Sequence, residues 1–137
     1  MRIIVDTNVL VSAVLRGRTP RAVVEFIIND PNCDWIVSSE ILAEYREVLT
    51  RPKFKLTQEV IDEWLQIFET VPRLIQVNID VDFPRDKKDA KFIACAMAAG
   101  ADFLVTGDRD FTEAKMLGNT KVISLSVFKS LIVDANQ

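Results

Sequence analysis

Short apolar runs recur along the chain, each followed by a stretch whose apolar side chains fall at helical spacing, and this alternation is what most limits the fold. Arg2-Ile3-Ile4-Val5-Asp6 reads as a short buried strand, and Asn8 to Leu15 as a helix. Gly17-Arg18-Thr19-Pro20 is a break, with Thr19 as cap and Pro20 at the first position of a helix running to Asn29. Trp35-Ile36-Val37 is a second strand; Ser38-Ser39 caps a helix from Glu40 to about Leu49, closed by Pro52. Thr57 caps another helix to Thr70, Arg73 to Val77 forms a third strand, and Asn78 to Arg85 a polar loop. Asp86 is then the N-cap of a helix from Lys87 to Ala99, stopped by Gly100. Asp102 to Val105 is a fourth strand ending in Thr106-Gly107-Asp108, and Lys121 to Leu125 with Val127 to Val133 supply a last strand and helix. Such a sequence of elements folds as α/β, a central mostly parallel sheet with helices on both faces. At 137 residues the chain is one domain's worth, residues 1–137.

Composition then narrows the chemistry. The chain has no histidine, which excludes Ser-His-Asp and Cys-His catalysis and every histidine-containing zinc site. Its two cysteines, Cys33 and Cys95, are too few for a Cys-only zinc site and lie in apolar surroundings, as thiols buried in a protein of the reducing cytoplasm do. No apolar run reaches the roughly 18 residues that span a bilayer, and Asp6 interrupts the apolar start too early for a secretory leader, so no membrane partner is expected.

In an open α/β sheet, ligands bind outside the carboxyl ends of the strands. Asp6 ends the first strand, Asp108 follows the fourth, Glu44 lies in the helix after the second, and Asp89 in the first turn of the helix after the third. At about 100° per residue, Glu44 borders the apolar arc of Ile41, Leu42, Tyr45, Val48 and Leu49, whereas Glu40 and Glu47 turn to solvent. Asp89 shares a stripe with Phe92, Ile93 and Ala96, while Lys87, Lys88 and Lys91 fall off it. Singly, Glu44 is explained as a solvated helix acid, Asp86 as an N-cap and Asp89 as its capping-box partner. Asp6, directly after Ile3-Ile4-Val5 and before Thr7-Asn8, is poorly explained as surface decoration. Carboxylates held together repel, and the usual remedy is a hard divalent cation, Mg²⁺ or Mn²⁺, which suits hydrolysis of phosphodiesters without histidine.

These residues lead to a resemblance. Asp6-Thr7-Asn8-Val9-Leu10 after an apolar strand, Glu44 within Ser39-Glu40-Ile41-Leu42-Ala43-Glu44-Tyr45, Asp89-Ala90-Lys91-Phe92-Ile93, and Ala101 to Phe111 with its Thr106-Gly107-Asp108-Arg109-Asp110 resemble a PIN domain over essentially the whole chain. The resemblance implies a three-layer sandwich and a metal-dependent ribonuclease, commonly the toxin of a toxin-antitoxin pair. It implies Asp6, Glu44, Asp89 and Asp108 as pocket acids, Asp110 as an accessory metal ligand, and Thr7, Asn8 and Thr106 as supports. Where related sequences often carry an acidic run, this chain has Asp86-Lys87-Lys88-Asp89; helix phase favours Asp89, with Asp86 second, about 60° away.

An acidic pocket repels RNA unless cations offset it. Residues 57–86 carry 2 basic and 7 acidic side chains, which leaves Arg16, Arg18, Arg21, Arg46, Arg51, Lys53, Lys55 and Arg109 elsewhere as candidates to line a groove. Ile61, Trp64, Leu65 and Phe68 form an apolar helical stripe, read as core, with a homodimer or antitoxin surface as the alternative. A receiver-type phosphoacceptor would want paired acids after the first strand, where this chain has the single Asp6 before Thr7-Asn8; a non-catalytic RNA- or protein-binding module would not need the full acid set. Helix phase gives a direct test: Glu44→Gln is expected to depress RNA cleavage far more than Glu40→Gln or Glu47→Gln, and equal rates for all three in a gel-based assay would refute the assignment of phase.

Overall fold

The fold is that of a computed structural model, which describes residues 1–78, 89–107 and 115–136. Among the described residues six strands form one sheet: β1 (Arg2–Val5), β2 (Asp34–Val37), β3 (Arg73–Leu74), β4 (Phe103–Thr106), β5 (Lys115–Leu117) and β6 (Thr120–Ser124), in the order β3-β2-β1-β4-β6-β5. All neighbours are parallel except β5, which returns antiparallel beside β6. The helices are α1 (Thr7–Arg16), α2 (Arg18–Asn29), α3 (Ser39–Leu49), α4 (Gln58–Thr70), α5 (Ala90–Ala99) and α6 (Leu125–Phe128). The α/β architecture with a mostly parallel sheet is therefore the one expected. Ile3, Ile4 and Val5 are all buried, on both faces of β1, which is why the strand reads as an unbroken apolar run and not as an alternation.

Chain order explains where the sheet opens. From β1 the chain moves outward through β2 to β3, then returns across the sheet to place β4 on the other flank of β1. The direction of winding reverses between β1 and β4, and it is outside the carboxyl ends of the strands at such a reversal that an open α/β sheet has its crevice. β1 and β4 pair from Ile3 opposite Phe103 to Val5 opposite Val105, so that Asp6 and Thr106 come side by side at that edge.

Several boundaries differ from the sequence reading for identifiable reasons. Gly17 at φ 66° and Arg18 at φ 53° turn the chain together, the first without strain because it is glycine; α2 starts at Arg18, and Thr19 lies inside the helix instead of capping it. β3 stops at Leu74, although Ile75 still donates to the Val37 carbonyl at 2.9 Å, because β2 ends there and offers no further partners. Within the described residues α5 begins at Ala90 with Asp89 at the N-cap position, so Asp89 precedes the first turn; Asp86 and its expected cap lie outside the described residues. The last strand ends at Ser124, whose hydroxyl caps α6 by accepting from Val127 N–H, so the final helix starts at Leu125 and continues as a π-helical turn through Val133. β5 was not foreseen: three residues carry no period, and only the tight turn at Gly118-Asn119 announces it. Ser38 and Thr57 cap α3 and α4 as expected.

The core behind β1 and β2 is aromatic. Tyr45 of α3 is fully buried, with its ring 5.9 Å from Trp35 and 5.4 Å from Phe68 of α4, while Trp64 packs 6.2 Å from Phe68. Of the α4 stripe only Phe68 is buried; Trp64 and Leu65 pack against the core from its margin, and Ile61 stays half-buried. Among the described residues no helix is long and apolar enough to cross a membrane.

The Tyr45 hydroxyl donates to the Val5 carbonyl, which fastens α3 to the end of β1. Tyr45→Phe keeps the ring but leaves a buried acceptor short of a donor, and should lower stability by about 1–2 kcal/mol. A urea titration checks this: the midpoint falls while the slope is unchanged.

Candidate active site

The crevice at the β1–β4 switch point is a cleft of about 800 Å³. Asp6, Thr7 and Asn8 line it from the junction of β1 and α1, Glu44 and Val48 from α3, Asp89 and Phe92 from the start of α5, and Thr106 and Gly107 from the end of β4. Arg51, Lys53 and Phe54, in and before the short 3-10 turn Pro52–Phe54, form the remaining lip.

Asp6 is held at every polar atom of its backbone. Its N–H donates to the Val105 carbonyl at 3.0 Å, continuing the β1–β4 ladder, and its carbonyl accepts from Val9 and Leu10 N–H as α1 begins. Its carboxylate accepts from the Asn8 N–H as the N-cap of α1 and from the Thr106 hydroxyl, both at 3.3 Å. Burial pushes the Asp6 carboxyl above its ordinary value, and the charges of Asp89 and Glu44 push the same way; the Asn8 N–H and Thr106 hydroxyl oppose them. The three acids thus share one electrostatic environment although they come from three elements.

Glu44 is oriented from two sides. The Thr7 hydroxyl donates to Oε2, and Lys91 Nζ lies 3.2 Å from Oε1. Only 18% of the Lys91 side chain is exposed, so this ion pair is screened less than a surface pair. Sequence reasoning placed Lys91 off the buried stripe of α5. The buried residues are in fact Phe92, Ala94, Cys95, Ala96 and Ala99, with Ile93 only half-buried, an arc that takes in Lys91 and leaves Asp89 at its border. The overlooked signal is that Lys91 is the one charge in the ten residues of α5. By contrast Glu40 is exposed and Glu47 is held at solvent by a bidentate bond from Arg51.

Of the residues singled out in the sequence, Asp6, Thr7, Asn8, Glu44, Asp89 and Thr106 come together on this cleft, while Asp86, Asp108 and Asp110 lie outside the described residues. Of the candidate cations, Arg51 and Lys53 line it, Arg21 instead pairs with Glu25 on α2, and Arg109 lies outside the described residues. Phe54 was missed, since a lone aromatic between two lysines has no helical or strand period to give it away. Cys95 is buried one turn further along α5 than Phe92, where burial pushes its thiol up to about 12, and does not line the cleft.

The donors that face the cleft are carboxylate, hydroxyl and amide oxygens, the set a hard divalent cation prefers. Mutual repulsion at Asp6 supplies the motive for such an ion. Among the described residues no three acids are drawn close enough to cage it by themselves, so these residues offer an open and partial ligand set. A smaller cleft of about 280 Å³ lies on the other side of Asp6 and Asp89, walled by Ile93, Leu104, Met116, Leu117 and Val122.

A family model described as the PIN domain matches residues 2–110. The chain is a PIN domain. No curated protein matches it significantly. Among solved structures, a chain in the crystal structure of VapBC2 from Rickettsia felis bound to a DNA fragment from their promoter superposes with a TM-score of 0.60 at 19% identity, covering 90% of this chain and 98% of that one. At that identity the likeness concerns the fold, and it extends over nearly all of this PIN domain.

The electrostatics of Asp6 give a stability prediction with a definite sign. A carboxyl whose folded pKa is raised binds more protons when folded than when unfolded, so stability falls as pH rises through the window above 3.8, the ordinary value. Asp6→Asn removes the charge yet retains a capping side chain. Without added metal the variant should melt at a higher temperature than wild type at neutral pH, the advantage shrinking as pH falls towards 3.8. Thermal unfolding across that range reads it out; a variant less stable at neutral pH would show that Asp6 carries no strain.

Proposed function

We propose that this PIN domain is a Mg²⁺- or Mn²⁺-dependent endoribonuclease, with Asp6, Glu44, Asp89 and Asp108 as the acidic centre and Asp110 as an accessory ligand. The observation that supports this most directly is the convergence of Asp6, Glu44 and Asp89 on one cleft at the switch point of the sheet, in a chain without histidine. Asp108 joins the proposal from its place in the sequence, two residues after Thr106 at the end of β4.

Each residue has a physical task in phosphodiester hydrolysis. Thr106 and the Asn8 N–H fix the direction of the Asp6 carboxylate, so that it needs little reorganisation to accept a ligand. Thr7 does the same for Glu44, while Lys91 offsets one of the charges that would otherwise repel the substrate. A bound divalent cation supplies Lewis acidity, neutralising charge on the scissile phosphate and making water a stronger acid. Arg51 and Lys53 attract the polyanion to a cleft whose inner wall is negative.

The likeness in fold to a chain of VapBC2 supports a narrower reading, in which the protein is the toxin of a toxin-antitoxin pair and acts in the cytoplasm with a cognate antitoxin as its partner. Purified protein incubated with RNA and Mn²⁺ or Mg²⁺ should cut it, and should stop on addition of chelator. Asp6→Asn should reduce the rate at least 100-fold with the fold intact by circular dichroism, since an amide lacks the charge a metal requires. Undiminished cleavage in excess chelator would defeat the mechanism; RNA binding without cleavage in either metal would favour a non-catalytic binding module.

A further inference from the structure

Resting on the nuclease reading of this cleft, we infer that the turn after α3 is its substrate-reading element: Phe54 stacks on an unpaired base of the RNA and Lys53 holds the adjoining phosphate. Phe54 is half-buried and lines the cleft, but it is not among the partly buried apolar side chains that pack on the core. Leu56, two residues on, does pack there, so the turn separates an inward anchor from an aromatic ring kept in the cleft. Hydrophobic burial in the core therefore does not account for the placing of Phe54.

The turn is also stiff and cationic. Pro52 fixes its first residue, Phe54 N–H donates to the Arg51 carbonyl at 3.1 Å, and Lys55 N–H to the Pro52 carbonyl at 3.0 Å. Lys53 Nζ stands over the Phe54 ring, 5.1 Å from its centroid, so a positive charge and a π face are offered together. Lys53 makes no ion pair among the described residues, whereas Arg51 is bonded to Glu47 and contributes a fixed guanidinium at the rim. Glu44, Val48 and Arg51 line the cleft in succession along and just beyond α3. The lip thus follows the acid of α3 along the same side of the cleft, just past the end of that helix.

Charge decides the occupant. An acidic wall facing a cationic lip, with a half-exposed aromatic beside the cation, fits a phosphate backbone bent through the cleft with one base turned onto Phe54. A paired base hides both faces within its stack, so only a single strand can make that contact.

The test measures binding apart from cleavage. Asp6→Asn protein, alone and combined with Phe54→Ala, Phe54→Leu, Phe54→Trp or Lys53→Gln, is titrated against a short fluorescein-labelled RNA of mixed sequence, single-stranded or annealed to its complement, with anisotropy as the readout. Phe54→Ala and Phe54→Leu should weaken single-strand binding by about 5- to 100-fold, Phe54→Trp should preserve or tighten it, and duplex binding should not change. Lys53→Gln should reduce the salt slope by about 1. Full affinity in Phe54→Leu, equal losses on single strand and duplex, or no measurable single-strand binding would each overturn the inference. The two readings fail differently: if wild type cuts RNA and Phe54→Ala alters neither affinity nor KM, only the stacking inference falls; if wild type cuts no RNA in Mg²⁺ or Mn²⁺, the nuclease reading falls.

Discussion

At the carboxyl end of β1, the backbone of Asp6 extends the ladder to β4 while its carbonyl and carboxylate begin α1. One residue therefore joins the two strands between which the sheet reverses its winding and sets the direction of the helix that leaves the first of them. Thr106 completes the arrangement from the β4 side. Most other features of the cleft follow from it. Thr7 comes next in the chain and so meets Glu44, and the Val5 carbonyl just before it receives the Tyr45 hydroxyl from the same helix. Fastened at both sites, α3 holds a fixed height above the edge of the sheet.

Charge in the cleft is arranged by depth. The buried end collects carboxylates that disfavour one another, with the half-buried Lys91 as a counter-ion at Glu44; the outer lip collects Arg51 and Lys53. A polyanion approaching from solvent meets cations before acids. Lys91 also helps to accommodate Glu44 near the other acids, since its ammonium satisfies one carboxylate oxygen and Thr7 the other.

What could be read in the sequence was what has a period or a fixed chemistry. β1, β2 and β4 are buried on both faces and show as apolar runs; Ser38 and Thr57 are caps by type and place. Glu44 was separable from Glu40 and Glu47 because the helical arc of α3 is wide and regular. β5 escaped notice because its pairing is made by a turn and by β6, not by its own residues. Lys91 was misjudged because a helix rich in alanine has a poorly defined apolar stripe, so that phase alone could not say that it fell within the buried arc. Phe54 lies in a turn, where a side chain's direction depends on a few backbone torsions that no pattern of residue types records.

The seat of Glu44, Val48 and Arg51 along α3 and its first residues beyond has a consequence for how such a cleft changes over time. A substitution at one of these positions alters one contact and leaves the others in register. One residue inserted or deleted between them turns everything downstream by about 100° and shifts it by about 1.5 Å, swinging the cationic lip away from the acids in a single step. Relatives that retain the cleft should therefore hold the length of this stretch constant and accumulate their insertions elsewhere, as at the turn between β5 and β6, where a Cβ on Gly118 would meet open space.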